Sequence, residues 1–396
     1  MEKLFILGVR YTVREEDYTC CPTETCFGGG REPEVPRFGA GGQGRRLQEI
    51  APDGTLIWDY VSATDTNLLH HDVAVLPNGN IPAIAYEHVF AERSSTLGRK
   101  PDQIPEQGLW TDVIFELEPI RPDGAEIVWQ WHMLDHVVQD FDPGLPSYGQ
   151  IAEHPELVDI NIGGLIQQGT QADLDKRRAE NRLPPNASLR NVGSDLMYSN
   201  AINYIANLDQ IVISSHNFSE IWILDQSLLQ SRRLATMEVA GVEVEIFSID
   251  GVIRPYMVRG ADADQKLHHQ HDVKWIPNGF KGAGRLIVFN NQVPSENGPY
   301  SQVSEIDPPQ DDLGHDVIED GKPFGPTEPV RVYTAADTIS FYTGFISGAQ
   351  RLSNGHTLVT SGPHGRFFEI DEEHNTVWEY WSPYSGEVRL PDGSFP

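Results

Sequence analysis

Arg46-Leu-Gln-Glu-Ile-Ala-Pro-Asp-Gly-Thr-Leu-Ile-Trp-Asp-Tyr60 and Arg366-Phe-Phe-Glu-Ile-Asp-Glu-Glu-His-Asn-Thr-Val-Trp-Glu-Tyr380 carry Arg, Glu, Ile, Trp and Tyr in one register. A looser third copy runs from Val113-Ile-Phe-Glu-Leu-Glu118 through Asp123-Gly124 to Ile127-Val-Trp-Gln-Trp131. Recurrence near both ends and in the first half marks a repeat architecture. Each copy alternates apolar and polar residues, turns at Asp, Asn or Gly, and alternates again towards aromatics. A hairpin with one buried face reads this way.

A second element recurs at His71-Asp-Val-Ala-Val-Leu-Pro-Asn-Gly79, His271-Asp-Val-Lys-Trp-Ile-Pro-Asn-Gly279 and Ser347-Gly-Ala-Gln-Arg-Leu-Ser-Asn-Gly355, each leading into an apolar strand such as Leu286-Ile-Val-Phe289. Asn-Gly pairs accept positive φ at both positions and close tight turns. Two hairpins per unit make a four-stranded antiparallel blade, and blades around an axis make a β-propeller. The expected fold is all-β, a propeller of six blades with long loop and helical insertions on one face. Residues 1–45 read as an irregular arm, with Leu4–Gly8 a candidate strand for the last blade. Residues 46–382 read as the propeller, with an insertion over 132–195 that includes a charged helical piece from Gln171 to Arg182, and 383–396 as a tail.

Of the 396 residues, 58 are acidic and 29 basic, a net charge of −29 that disfavours nucleic acid and anionic membranes as partners. An anionic substrate would have to be met by a local positive or polar site. No stretch reaches the roughly 18 to 20 apolar residues of a membrane span. The apolar run near Met1 is too short for a signal-peptide core, so the expected compartment is the periplasm if a leader was removed and the cytoplasm otherwise. Cys20, Cys21 and Cys26 cluster in one Gly-flanked segment, open to a metal, a disulfide or neither.

Aligning the units on their Asn-Gly turns puts His71 and His271 at one position, eight residues before the glycine. Inner strands of a propeller line its channel, so the two converge despite their separation in the chain. His70, His268 and His269 sit beside them, and each of the pair precedes an Asp that would orient a neutral imidazole for proton or nucleophile chemistry. The same cluster could hold a transition metal through His71, His269 and His271. Tyr198 and Asn200 occupy the matching region of another unit. His216 follows a strand, His364 lies on a turn into the last blade, and His132 and Asn290 join the candidate substrate contacts.

At Val128-Trp-Gln-Trp-His132, His154-Pro-Glu-Leu157, Asn200-Ala-Ile-Asn-Tyr204, Gln270-His-Asp272 and Ser347-Gly-Ala-Gln-Arg-Leu352 the chain resembles the bacterial arylsulfotransferases, six-bladed propellers. The resemblance implies transfer of a sulfuryl group between phenolic compounds through a covalent sulfohistidine, without a cofactor and with a small aromatic substrate. His271 would contact sulfate or move protons, and His71 or His364 would supply the nucleophile. Two departures stand out: Tyr198 replaces a histidine of the family's Asp-Trp-x-His-x-Asn element, and no arginine follows Asn290-Asn291. The alternatives are a metal-dependent oxidoreductase or lyase on the same scaffold and a propeller that only binds a ligand.

Overall fold

The structure, a computed structural model, describes residues 26–30, 38, 42, 44–51, 53–105, 107–154, 156–162, 171–179, 194–225, 251–253, 265–310, 317 and 325–382. The Leu4–Gly8 segment, Cys20 and Cys21, and the 383–396 tail lie outside these residues. Strands β1 (Cys26–Gly30), β2 (Arg46–Ile50) and β3 (Leu56–Val61) form one antiparallel sheet. A second contains β4 (Asn67–Val73), β5 (Ile81–Val89), β6 (Leu109–Ile120) and β7 (Gly124–His132). The short β8 (Val137–Val138) and β9 (Val158–Asp159) pair in parallel within the insertion, whose helix α2 spans Gln171–Ala179; the shorter α1 is Ala91–Thr96.

Three further sheets follow in the same order of strands. They are β10 (Ser199–Ile205), β11 (Gln210–Ser215), β12 (Glu220–Asp225) and β13 (Gly251–Ile253); β14 (His271–Trp275), β15 (Leu286–Val293), β16 (Tyr300–Ile306) and β17 (Arg331–Tyr333); and β18 (Ser347–Arg351), β19 (Thr357–Ser361), β20 (Arg366–Ile370) and β21 (Thr376–Trp381). This is a β-propeller. Five such sheets lie among the described residues, and the count of six blades stays an expectation. Residues 26–30, read from sequence as part of an irregular arm, pair with β2.

The repeated hairpin is structural to the residue. In β2–β3, β6–β7 and β20–β21 the conserved spacing places Glu49 opposite Trp58, Glu116 opposite Trp129 and Glu369 opposite Trp378, each followed by a bulge. The extra bulge residue tightens the local twist as the strands leave the turn. Arg46 pairs with Asp59 at 2.9 Å and Arg366 with Glu379 at 2.6 Å across the hairpin, which accounts for the Arg of the motif.

Surroundings then separate the copies. Trp58 is 0% exposed and donates through Nε1 to the Gly124 carbonyl at 2.7 Å, whereas Trp378 is 48% exposed. At the Asn-Gly turns only the glycine takes positive φ, 88° at Gly79, 86° at Gly279 and 86° at Gly355. Asn78 and Asn354 instead accept, through Oδ1, the N–H two residues on.

The core lies between consecutive sheets. Leu47 and Trp58 pack on Ile81 and Phe115, Ile84 and Ile114 on Ile202 and Trp222, Val212 on Val273 and Leu286, and Phe289 and Val303 on Val359 and Phe368. Burial at roughly 25 cal/mol per Å² makes these interfaces the main source of stability. Polar latches add register: Asp72 accepts from the Ile202 N–H at 3.2 Å, and Asp272 from the Ala349 N–H at 3.1 Å. Each carboxylate ties one inner strand to the next.

Candidate active site

Where inner strands start and second strands end, three sheets bring imidazoles together. His71 comes from a bulge in β4, His269 and His271 from the start of β14, Tyr198 from just before β10, and His216 from just after β11. The rings form a chain: His71 to Tyr198 at 4.6 Å, Tyr198 to His216 at 5.1 Å, His216 to His269 at 4.7 Å and His216 to His271 at 5.3 Å between centroids. Positive φ at His71 (55°), Tyr198 (51°) and His269 (55°) points these side chains out of the strand pleat. Such backbone costs of order 1–3 kcal/mol in a non-glycine residue and persists where the surroundings fix it.

Three of these imidazoles, His71, His216 and His271, are held neutral. Desolvation first, then the imidazoles of His70, His271 and His216, keeps His71 well below the ordinary histidine value. Desolvation pushes His216 down to about 4 and His271 to about 3. Tyr198 is pushed up by desolvation and by Asp195, so its hydroxyl stays protonated.

Hydrogen bonds fix how the rings face. Asn291 Nδ2 donates to the Thr343 carbonyl and to Ser347 Oγ, which leaves Oδ1 to accept from His271 Nδ1–H at 2.9 Å. His216 Nδ1 is 3.0 Å from Asn217 Oδ1, and Asn217 Nδ2 donates to the Asp195 carbonyl. His71 Nδ1 is 2.7 Å from Nδ1 of His70, which is fully buried and stacks at 3.6 Å on Tyr86. Asp195 accepts the Tyr86 hydroxyl at 2.8 Å and the Tyr198 N–H at 2.8 Å.

The matched His-Asp pairs do not work as the sequence suggests. Asp72 and Asp272 latch neighbouring sheets and do not orient His71 and His271, which take their partners from His70 and Asn291. Asn290 uses both ends of its amide on backbone, accepting the His268 N–H at 2.7 Å and donating to the Lys266 carbonyl at 2.6 Å. Asn200 donates to the Gln270 carbonyl at 2.7 Å and so also braces the start of β14. His364 is exposed and bonds Ser361 Oγ at 2.9 Å, with no ring contact to the cluster.

His132 lies elsewhere, 3.0 Å from Glu87 in a cleft of about 160 Å³ shared with His88, Phe90, Arg93 and Asp135. The hydrogen bond it donates to the Glu87 carboxylate raises its pKa. His136 stacks on Trp131 at 5.1 Å and packs the insertion down. Among the described residues, no three His, Cys, Asp or Glu side chains are arranged to hold a metal ion, and His71 is linked to His271 only through intervening rings. The residue that links the cluster, His216, was the one weakly marked by sequence, a lone histidine after a strand.

Comparison with known proteins gives the following. No curated protein matches the chain. Similar solved structures include a protein of unknown function from Bacteroides caccae, 10% identical over 90% of this chain and 77% of that one, with a TM-score of 0.38. The β-propeller domain of Myceliophteria thermophila Cps50 (Swd1) is 8% identical over 95% and 89%, with a TM-score of 0.37. BamB from Moraxella catarrhalis is 8% identical over 90% and 73%, with a TM-score of 0.29. Among the described residues no helix is long and apolar enough to cross a membrane. Residues 39–382 match the arylsulfotransferase (ASST) family, and the chain belongs to that family.

Proposed function

We propose that this chain moves a sulfuryl group from an aryl sulfate to a phenolic acceptor through a covalent sulfohistidine formed in the cluster of His71, Tyr198, His216, His269 and His271. The observation that carries the reading is the convergence of neutral imidazoles and a protonated tyrosine from three sheets. A neutral imidazole has the electron pair that attack on sulfur requires, and protonation would remove it.

In the first half-reaction an imidazole nitrogen bonds to sulfur as the bond to the aryl oxygen breaks, and the phenolate leaves with the electron pair. In the second, the acceptor oxygen bonds to sulfur, the nitrogen–sulfur bond breaks and the imidazole is regenerated. The Tyr198 hydroxyl and imidazole N–H groups supply donors for the sulfuryl oxygens, in place of the arginine that the sequence lacks after Asn291. Preorganised donors of this kind contribute most where water is excluded.

The test is release of 4-nitrophenolate from 4-nitrophenyl sulfate with phenol as acceptor. Expected are acceptor-dependent turnover with ping-pong kinetics and an acid-labile sulfate on histidine after incubation with donor alone. Failure across a panel of aryl sulfates and phenols would end this reading.

A further inference from the structure

We infer that the cleft beside His132 is a second small-molecule site, one that takes a single aromatic ring carrying one oxyanion, such as an aryl carboxylate. The inference goes beyond sulfuryl transfer and does not depend on it.

The cleft opens on the face that carries the imidazole cluster. Glu87 lies near the end of β5, opposite Asn67 at the start of β4, and His132 ends β7. None of the cluster residues lines it. Phe90 is joined to His71 by a row of packed rings instead: His88 at 4.7 Å, then Phe38 at 6.5 Å, Tyr86 at 5.8 Å, His70 at 3.6 Å and His71 at 5.0 Å between successive centroids. A ligand held in the cleft and a sulfuryl group held by the cluster therefore occupy different places.

Size and shape suit one ring. The volume of about 160 Å³ is close to the roughly 150 Å³ of an apolar cavity that accepts benzene. Buried Val89 and Leu134 give the cleft apolar walls, and the Phe90 side chain lines it while staying 55% exposed. The His88 ring meets Phe90 at 79° between planes and is itself fixed by the Gln107 carbonyl, 2.7 Å from Nε2. A ligand ring packed on Phe90 would take that aromatic surface out of water, in the offset or edge-on geometry that such rings prefer.

Charge selects the substituent. Besides His88, the ionisable groups of the cleft are Glu87, Arg93, His132 and Asp135. Glu87 and His132 are 3.0 Å apart, and their hydrogen bond favours the imidazolium, so the pair carries little net charge. Arg93, on α1, is exposed and among the described residues forms no ion pair. Its guanidinium offers two parallel N–H donors, the geometry that a carboxylate or sulfonate accepts. In a chain of net charge −29, this cation beside an exposed ring is the local positive site that an anion requires. An ammonium would be repelled by Arg93 and would find Glu87 already engaged. Asp135, also exposed, is the carboxylate left to oppose an anion, which fixes the sign of its effect.

The test is equilibrium dialysis of the whole chain against ring-labelled benzoate, with benzylammonium and benzyl alcohol as comparisons. None of the three can donate a sulfuryl group. Benzoate should bind saturably at one site per chain and more tightly than either comparison. Arg93→Gln should weaken it about five- to tenfold, and Asp135→Asn should tighten it about threefold. Phe90→Ala should weaken it by about fivefold. His271→Ala should leave the affinity unchanged. Arg93 and Asp135 are exposed, so both variants should melt as the parent does.

Preference for benzylammonium, lost in Asp135→Asn and kept in Arg93→Gln, overturns the inference in favour of a cationic ligand. Benzoate binding that ignores Arg93→Gln and disappears in His271→Ala puts the ring in the imidazole cluster and also overturns it. So does the absence of saturable benzoate binding. Benzoate binding with the expected variant pattern, but no turnover of any aryl sulfate, keeps this site and removes the transfer reading.

Discussion

Leu69-His70-His71-Asp72 and His269-Gln270-His271-Asp272 fill corresponding places on two inner strands, and the aspartates do the same work in both. The residue before the key histidine differs. Gln270 donates through Nε2 to Ser214 Oγ and to the carbonyls of Ser215 and Glu220, so it knits one sheet to the next. His70 instead backs His71, with the two Nδ1 atoms 2.7 Å apart. His271 is backed by the Asn291 amide, which accepts a hydrogen bond but takes up no proton. One repeat thus yields two imidazoles backed by different groups, one by a second imidazole and one by an amide.

The largest effect expected from this difference is kinetic. His71→Ala should lower kcat/KM for 4-nitrophenyl sulfate by about 10⁴-fold, whereas His271→Ala should cost about 10²- to 10³-fold, the usual loss for one transition-state donor. Steady-state kinetics on the two variants decide it. If the order were reversed, the amide-backed imidazole would be the one that attacks.

The aspartates should break the pattern by behaving alike. Asp72→Ala and Asp272→Ala each strand a backbone N–H between sheets, at about 1–3 kcal/mol, and urea unfolding should show similar losses. A cost for one and not the other would mean that the two latches are not equivalent.

The smallest effect concerns protons. His216 at about 4 and His271 at about 3 lie below the 6.5 of an unperturbed histidine, so below pH 6.5 the unfolded chain binds more protons than the folded one. Stability contributed by keeping them neutral is complete above 6.5 and falls as pH drops towards 4. The melting temperature should follow this slope, and His216→Asn should flatten it by a few degrees. A profile unchanged by that variant would mean that His216 titrates alike in both states.

The fold could be read from sequence because hairpin periodicity and turn residues are local. Glu49, Trp58 and their counterparts hold the same register in every copy, and the Asn78-Gly79 and Asn354-Gly355 turns recur with the same bonds. Burial of Trp58 against exposure of Trp378 could not be read, since it depends on what the neighbouring sheet supplies. Convergence of His71, His269, His271 and Tyr198 followed from their repeat positions. The central place of His216 did not, because its only signal was a strand end. Asp112 gave no signal at all: it lies on β6 and comes within 3.3 Å of His70 only once β4 and β6 flank β5 in one sheet. Asn290 misled for the opposite reason, as a polar residue in a suggestive motif whose amide braces a loop.

Neutrality of the imidazole cluster bears on how fast an aryl sulfate arrives. The chain carries −29 charges, and rings without charge offer no long-range pull against that field. Added salt shortens the reach of the repulsion to about 8–10 Å, so encounter with the anionic donor should quicken as ionic strength rises. A site built on fixed arginines would slow instead. Under the proposed transfer, the donor would arrive by diffusion against a repulsive field and be recognised only at contact range.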